Sequence, residues 1–148
     1  MGPHFTPGAD SEHGMVVLKT LLRALTQINE DWLRRIPDLP LLYQSGVRYQ
    51  REEKGKEEWT DCVETYERGW GDCEDLVCWR VAELRVRYGI REARPDFTLR
   101  LLPSENGGPP RRVFHIIVRI GPDREDPSLK LGMGRRDAWM DGAATEED

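Results

Sequence analysis

The chain has 148 residues, with 22 Lys plus Arg against 27 Asp plus Glu, a net charge of −5 and a pI near 5.3. That length fits a single domain that buries its own core without staples, and the acidic balance lacks the basic footprint of a nucleic-acid binder. No run approaches the roughly 18 apolar residues of a membrane span, and the start Met1-Gly2-Pro3-His4-Phe5-Thr6-Pro7 lacks the basic and apolar regions of a signal peptide, so a cytoplasmic protein with neither nucleic acid nor membrane as partner is expected.

Residues 1–13 are rich in Pro, Gly and polar side chains and 141–148 are small or acidic, which predicts flexible ends around one domain over 14–140. From Met15 to Arg35, Val17, Leu18, Leu21, Leu22, Leu25, Ile28 and Leu33 recur at helical spacing until Pro37 stops the pattern. Pro37, Pro40 and Gly46 then mark an irregular stretch leading to a short extended piece, Gly46-Val47-Arg48-Tyr49. Arg51 to Glu58 reads as a solvated mixed-charge loop, and Trp59 to Tyr66 as a short helix or turn. Gly69-Trp70-Gly71 bends the chain into a second long helix over about 73–88, with Asp72 as N-cap, Asp75 completing an acidic capping box and Gly89 as left-handed stop. Its stripe Cys73, Val77, Val81, Leu84, Tyr88 runs down one face. Phe97 to Leu102 is a strand, Pro103 to Pro110 a loop, and Arg112 to Ile120 a strand apolar on both faces, hence central and covered. Helices first and strands last give an α+β class, and no internal repeat is visible.

Three cysteines, Cys62, Cys73 and Cys78, form no disulfide framework and no C-x-x-C zinc knuckle. A metal site of these with His115 is disfavoured because Cys73 and Cys78 lie about 140° apart around a helix. No metal or cofactor is expected. Cys73 stands in the first turn of its helix, where unpaired N–H groups and the helix dipole favour a thiolate, although Asp72, Glu74 and Asp75 oppose one. A free cysteine is commonly just a small buried hydrophobe, and a strand histidine a satisfied core residue. Together, Cys73 and His115 make a nucleophile and a base.

A third group must hold the other imidazole nitrogen, and Asp123 and Asp126 follow the strand. A four-residue hairpin loop over Arg119–Pro122 would set His115 opposite Asp126 with Cβ atoms roughly 4.5–5.5 Å apart. A two-residue turn at Pro122-Asp123 would instead put Asp126 opposite Arg119, roughly 13 Å along the strand. Both registers stay open at this point.

The order Gly-x-Gly-Asp-Cys-x-Asp helix, strand histidine, Asp-Pro resembles the transglutaminase-like branch of the papain-like cysteine-protease superfamily. In closer detail, residues 42–49, 71–76, 79–85 and 125–128 are similar to small transglutaminase-like proteins encoded among bacteriophage structural genes, the match covering roughly 39–133. The resemblance implies a papain/transglutaminase-like core with the cysteine helix packed on a small antiparallel sheet. It implies Cys73 as nucleophile, His115 as general base and Asp126, from its Asp-Pro pair, as orienter. The oxyanion hole would use the Cys73 N–H with Trp59 or Trp70, both equally good core tryptophans. The implied activity is a cysteine amide or peptide hydrolase or acyltransferase on a protein or peptide substrate, in host cytoplasm or virion. The alternative is a non-catalytic structural or assembly protein of a phage particle that keeps the fold and partners other phage structural proteins.

Overall fold

The computed structural model describes residues 12–52, 58–104 and 106–134. In chain order these form α1 (Glu12–Arg35), a 3-10 turn (Leu42–Gln44), β1 (Arg48–Tyr49), α2 (Cys62–Arg68), β2 (Trp70–Gly71), α3 (Cys73–Arg87), β3 (Arg94–Leu102), β4 (Arg111–Ile120), β5 (Asp123–Glu125) and α4 (Pro127–Lys130). The mixture of helix and sheet agrees with the α+β class, with the addition of a parallel β1–β2 pair that brackets α2. The expected flexible ends lie outside the described residues, except that α1 already takes in Glu12 and His13. Among the described residues no helix is long and apolar enough to cross a membrane.

Helix α1 packs its Leu18, Leu22 and Leu25 against Val77 and Val81 of α3 and against Ile116 and Val118 of β4. A second cluster gathers Leu33, Leu42, Val47, Leu76 and the fully buried Trp79. Because strand side chains alternate, Ile116 and Val118 face this helical layer while His115 and Ile117 point to the other side, and all four are buried. The two-faced burial read from the strand holds. The expected α3 stripe ends early, since Tyr88 is 52% exposed beyond the last helical turn.

Strand β4 is central in the order β3-β4-β5, paired along its length with β3, Thr98 opposite His115. Strand β5 pairs only Val118↔Glu125, Arg119↔Arg124 and Ile120↔Asp123. Neither expected hairpin register occurs, because the turn is Gly121-Pro122, with Gly121 at φ +56. A glycine at the first and a proline at the second central position suit a type II′ turn, which matches strand twist.

Two networks fix the ends of this sheet against the helices. Arg80 of α3 bonds Glu125 through Nε at 2.7 Å and Glu83 through Nη1 at 2.6 Å, while Tyr43 also donates to Glu125. Glu83 is fully buried and its Oε1 accepts the Leu42 N–H at 2.9 Å, so this guanidinium compensates a charge in the core. The result anchors the residue immediately before Asp126. Beyond β5 the Tyr49 N–H donates to the Leu131 carbonyl at 2.9 Å, tying the segment after α4 to β1.

Candidate active site

The approach to Cys73 is set by Gly69 and Gly71. Gly69 ends α2 in the left-handed region at φ +87, which a side chain disfavours. Gly71 is needed for space, because a Cβ there would lie 3.0 Å from Leu76 Cδ2, 3.1 Å from Thr65 Cγ2 and 3.2 Å from Asp75 Cβ. Strand β2 can therefore press against the first turn of α3.

That turn carries the capping box expected from sequence: Asp72 caps the helix and Asp75 Oδ2 accepts the Asp72 N–H at 3.1 Å. Asp75 is fully buried, and it also takes the Thr60 N–H at 2.8 Å and Arg68 Nη2 at 3.0 Å. Burial still pushes its carboxyl up to about 8, against the pull of those donors. Glu74 is likewise raised, first by burial and then by Asp72 and Asp75. Glu52, read from sequence as part of a solvated loop, instead turns inward with 6% of its side chain exposed and is raised by burial. The rest of that loop, 53–57, lies outside the described residues.

Cys73 is the first residue of α3 and the only partly exposed thiol of the three; Cys62 and Cys78 are fully buried. Its Sγ donates to Glu74 Oε1 at 3.5 Å, and the backbone of Ile116, on the stretch of β4 beyond the end of β5, acts on the thiol in the direction that eases its ionisation. Burial, then the Glu74 and Asp72 charges, hold the thiol well above its ordinary range, so it rests protonated. Burial also raises Cys62, to about 12, and Cys78, whose Sγ donates to the Leu22 carbonyl at 3.4 Å.

His115, one residue before Ile116, is fully buried and its Nε2 lies 2.8 Å from Asp126 Oδ2. Among the described residues the opposite nitrogen, Nδ1, has no hydrogen-bond partner. Asp126 reaches the ring by leaving the sheet: β5 stops at Glu125, and Asp126 N-caps α4, its Oδ1 accepting the Leu129 N–H at 3.3 Å. Asp123 is exposed in β5. The Cys73 N–H, expected to stabilise an oxyanion, donates instead to Asp72 Oδ1 at 2.7 Å. Trp70 lies beneath the Arg68 guanidinium at 3.6 Å, and Trp59 packs on the core cluster that Cys73 also touches.

The structure thus joins His115 to Asp126 directly, while no hydrogen bond joins Cys73 to His115, whose ring lies on the face of β4 opposite the cluster that Cys73 touches. Glu52, Arg68 and Glu125 shape the site and had no assigned role in the sequence reading; only folding brings them there. The Cys62/Cys73/Cys78/His115 group does not converge. The metal-compatible groups among the described residues are Asp72, Cys73 and Glu74, and Glu52, Glu74 and Asp75, with ligand atoms within 4.8 Å. Arg68 already partners the second of these through Asp75. No family model matches the chain, and comparison with curated proteins and with solved structures finds no match either.

Proposed function

We propose that the protein is a cysteine acyl hydrolase or acyltransferase with a papain/transglutaminase-like core, using Cys73, His115 and Asp126 on an amide or peptide substrate. The observation that carries this reading is the state of His115: buried, fixed through Nε2 by a carboxylate at 2.8 Å, and left with Nδ1 unpaired among the described residues. A purely structural buried histidine satisfies both nitrogens. One free ring nitrogen is what a base requires.

In the proposed cycle the Cys73 thiol passes its proton to His115 Nδ1 as sulfur attacks the acyl carbon. Asp126 stabilises the imidazolium without taking its proton. The imidazolium then protonates the departing amine, and water or an acceptor amine cleaves the thioester. The Ile116 backbone favours ionisation of Sγ, in the direction this step needs. The family resemblance of the Gly71-Asp72-Cys73 and Asp126-Pro127 segments supports the same reading, including a phage-encoded source.

A second reading, a non-catalytic assembly protein of a phage particle, draws support from one observation: at rest the Cys73 N–H is held by Asp72 and its thiol faces Glu74. The two readings separate by experiment. Iodoacetamide labelling near pH 6.5, read site by site, should modify Cys73 fastest, and His115→Gln should slow that labelling while Cys62 and Cys78 stay inert. Labelling of Cys73 that ignores the histidine substitution in a folded protein would favour the assembly reading.

A further inference from the structure

Well away from Cys73, a cleft of about 370 Å³ opens between α1 and the start of β3, near the C-terminal half of α3. Its lining includes Lys19, Arg23, Arg85, Arg94, Asp96 and Phe97. Four cations thus face one carboxylate in a chain whose net charge is −5, so the local field opposes that of the whole molecule.

The guanidiniums are held in place. Arg85 donates through Nε to the Ala93 carbonyl at 2.8 Å and pairs through Nη1 with Glu30 at 2.9 Å. Arg94 lies 3.5 Å from Asp96, which also accepts from Arg119 Nε at 3.2 Å. Lys19 Nζ sits 5.9 Å above the Phe97 ring. Arg23 is exposed, with no carboxylate in ion-pair range among the described residues. Two positioned guanidiniums, two available cations and an aromatic wall form a pocket in the volume range of small-ligand sites, roughly 300–1,000 Å³.

We propose that this cleft binds the phosphate group of a small organic phosphate. A phosphate monoester carries nearly two negative charges at neutral pH and presents several acceptor oxygens, which matches converging Arg forks better than a single carboxylate does. Lys19 and Arg23 supply charge that no carboxylate among the described residues neutralises. Phe97 bounds the organic part. The proposal is independent of the chemistry at Cys73.

Calorimetric or NMR titration at low salt with two probes tests it: inorganic phosphate offers the phosphate alone, and AMP offers it beside an aromatic base. Saturable one-to-one binding of either probe is expected, weakening as salt is raised. The double variant Lys19→Ala/Arg23→Ala, at two exposed helix positions, should weaken it by about tenfold or more with an unchanged melting transition. Arg23→Lys should retain most of it, and Cys73→Ala all of it. Absence of saturable binding for both probes, binding unaltered in the double variant, or binding abolished by Cys73→Ala would each overturn the proposal.

Discussion

Asp126 serves two partners with two oxygens, so its substitutions separate orientation of the histidine from folding. In Asp126→Ala the four-residue helix α4 loses its N-cap, worth about 0.5–1 kcal/mol at such a short helix. The same change leaves His115 Nε2 without an acceptor inside the core, a further penalty of about 1–3 kcal/mol. The expected loss is about 1.5–4 kcal/mol, seen as a lower urea midpoint at constant m value. Asp126→Asn keeps one acceptor oxygen to share between Leu129 N–H and His115 and should lose only about 1 kcal/mol. It removes the charge that supports an imidazolium, however, so hydrolytic turnover and His115-dependent labelling of Cys73 should fall about 10²–10⁴-fold. Asp123→Asn, on the exposed β5 edge, should change stability by less than about 0.5 kcal/mol and leave labelling intact. If folded Asp126→Asn labels at the parent rate, Asp126 is a helix cap and nothing more, and the triad reasoning collapses.

Arg80→Met should destabilise by about 3–5 kcal/mol, because it strands the buried Glu83 carboxylate and frees β5, and thermal melts with and without a compensating Glu83→Gln will read that coupling. Gly71→Ala forces contacts near 3 Å onto Leu76, Thr65 and Asp75, so it should lose stability and slow Cys73 labelling together; a neutral melt would show that β2 yields. Asp75, Glu74 and Glu52 all have raised carboxyl pKa values, so the folded state holds more protons than the unfolded state from about pH 4 upward. Their stabilising contribution, full below the unfolded carboxyl range, is lost as pH climbs toward about 8, the Asp75 value. Glu125 is lowered and acts in the opposite sense, only below the ordinary carboxyl range. The melting temperature should therefore drop between pH 5 and pH 8, less steeply in Glu74→Gln; a rise across that interval would contradict the burial argument.

Features governed by neighbours in the chain were legible in the sequence. The capping box of Asp72 and Asp75 depends on residues three apart, and the stop at Gly89 on one backbone angle, so both α3 ends follow from local rules. The hairpin register is also local, since Gly121-Pro122 carries the II′ signature, yet turns at Arg119–Pro122 and Pro122-Asp123 compete with it in the sequence and neither forms. Glu52 was not legible. Its burial depends on Glu58 N–H and Arg68, supplied by distant or irregular segments, and a mixed-charge stretch reads as solvated until those donors are in place. Asp126 met His115 by a route that strand pairing could not foresee, because the contact forms after β5 has ended and the chain has turned into α4.

The head of α3 must satisfy conflicting demands, and their balance shapes the chemistry available there. A helix start wants carboxylates, and Asp72 and Asp75 supply both halves of the cap; a thiolate in the same turn wants none. Arg68 answers only part of this conflict, since it engages Asp75 at 3.0 Å while Asp72 and Glu74 remain to oppose ionisation of Cys73. A preformed thiolate is therefore disfavoured at rest. On the proposed reading proton removal accompanies attack, and the demand falls on His115 Nδ1, unpaired among the described residues, in a ring that Asp126 holds.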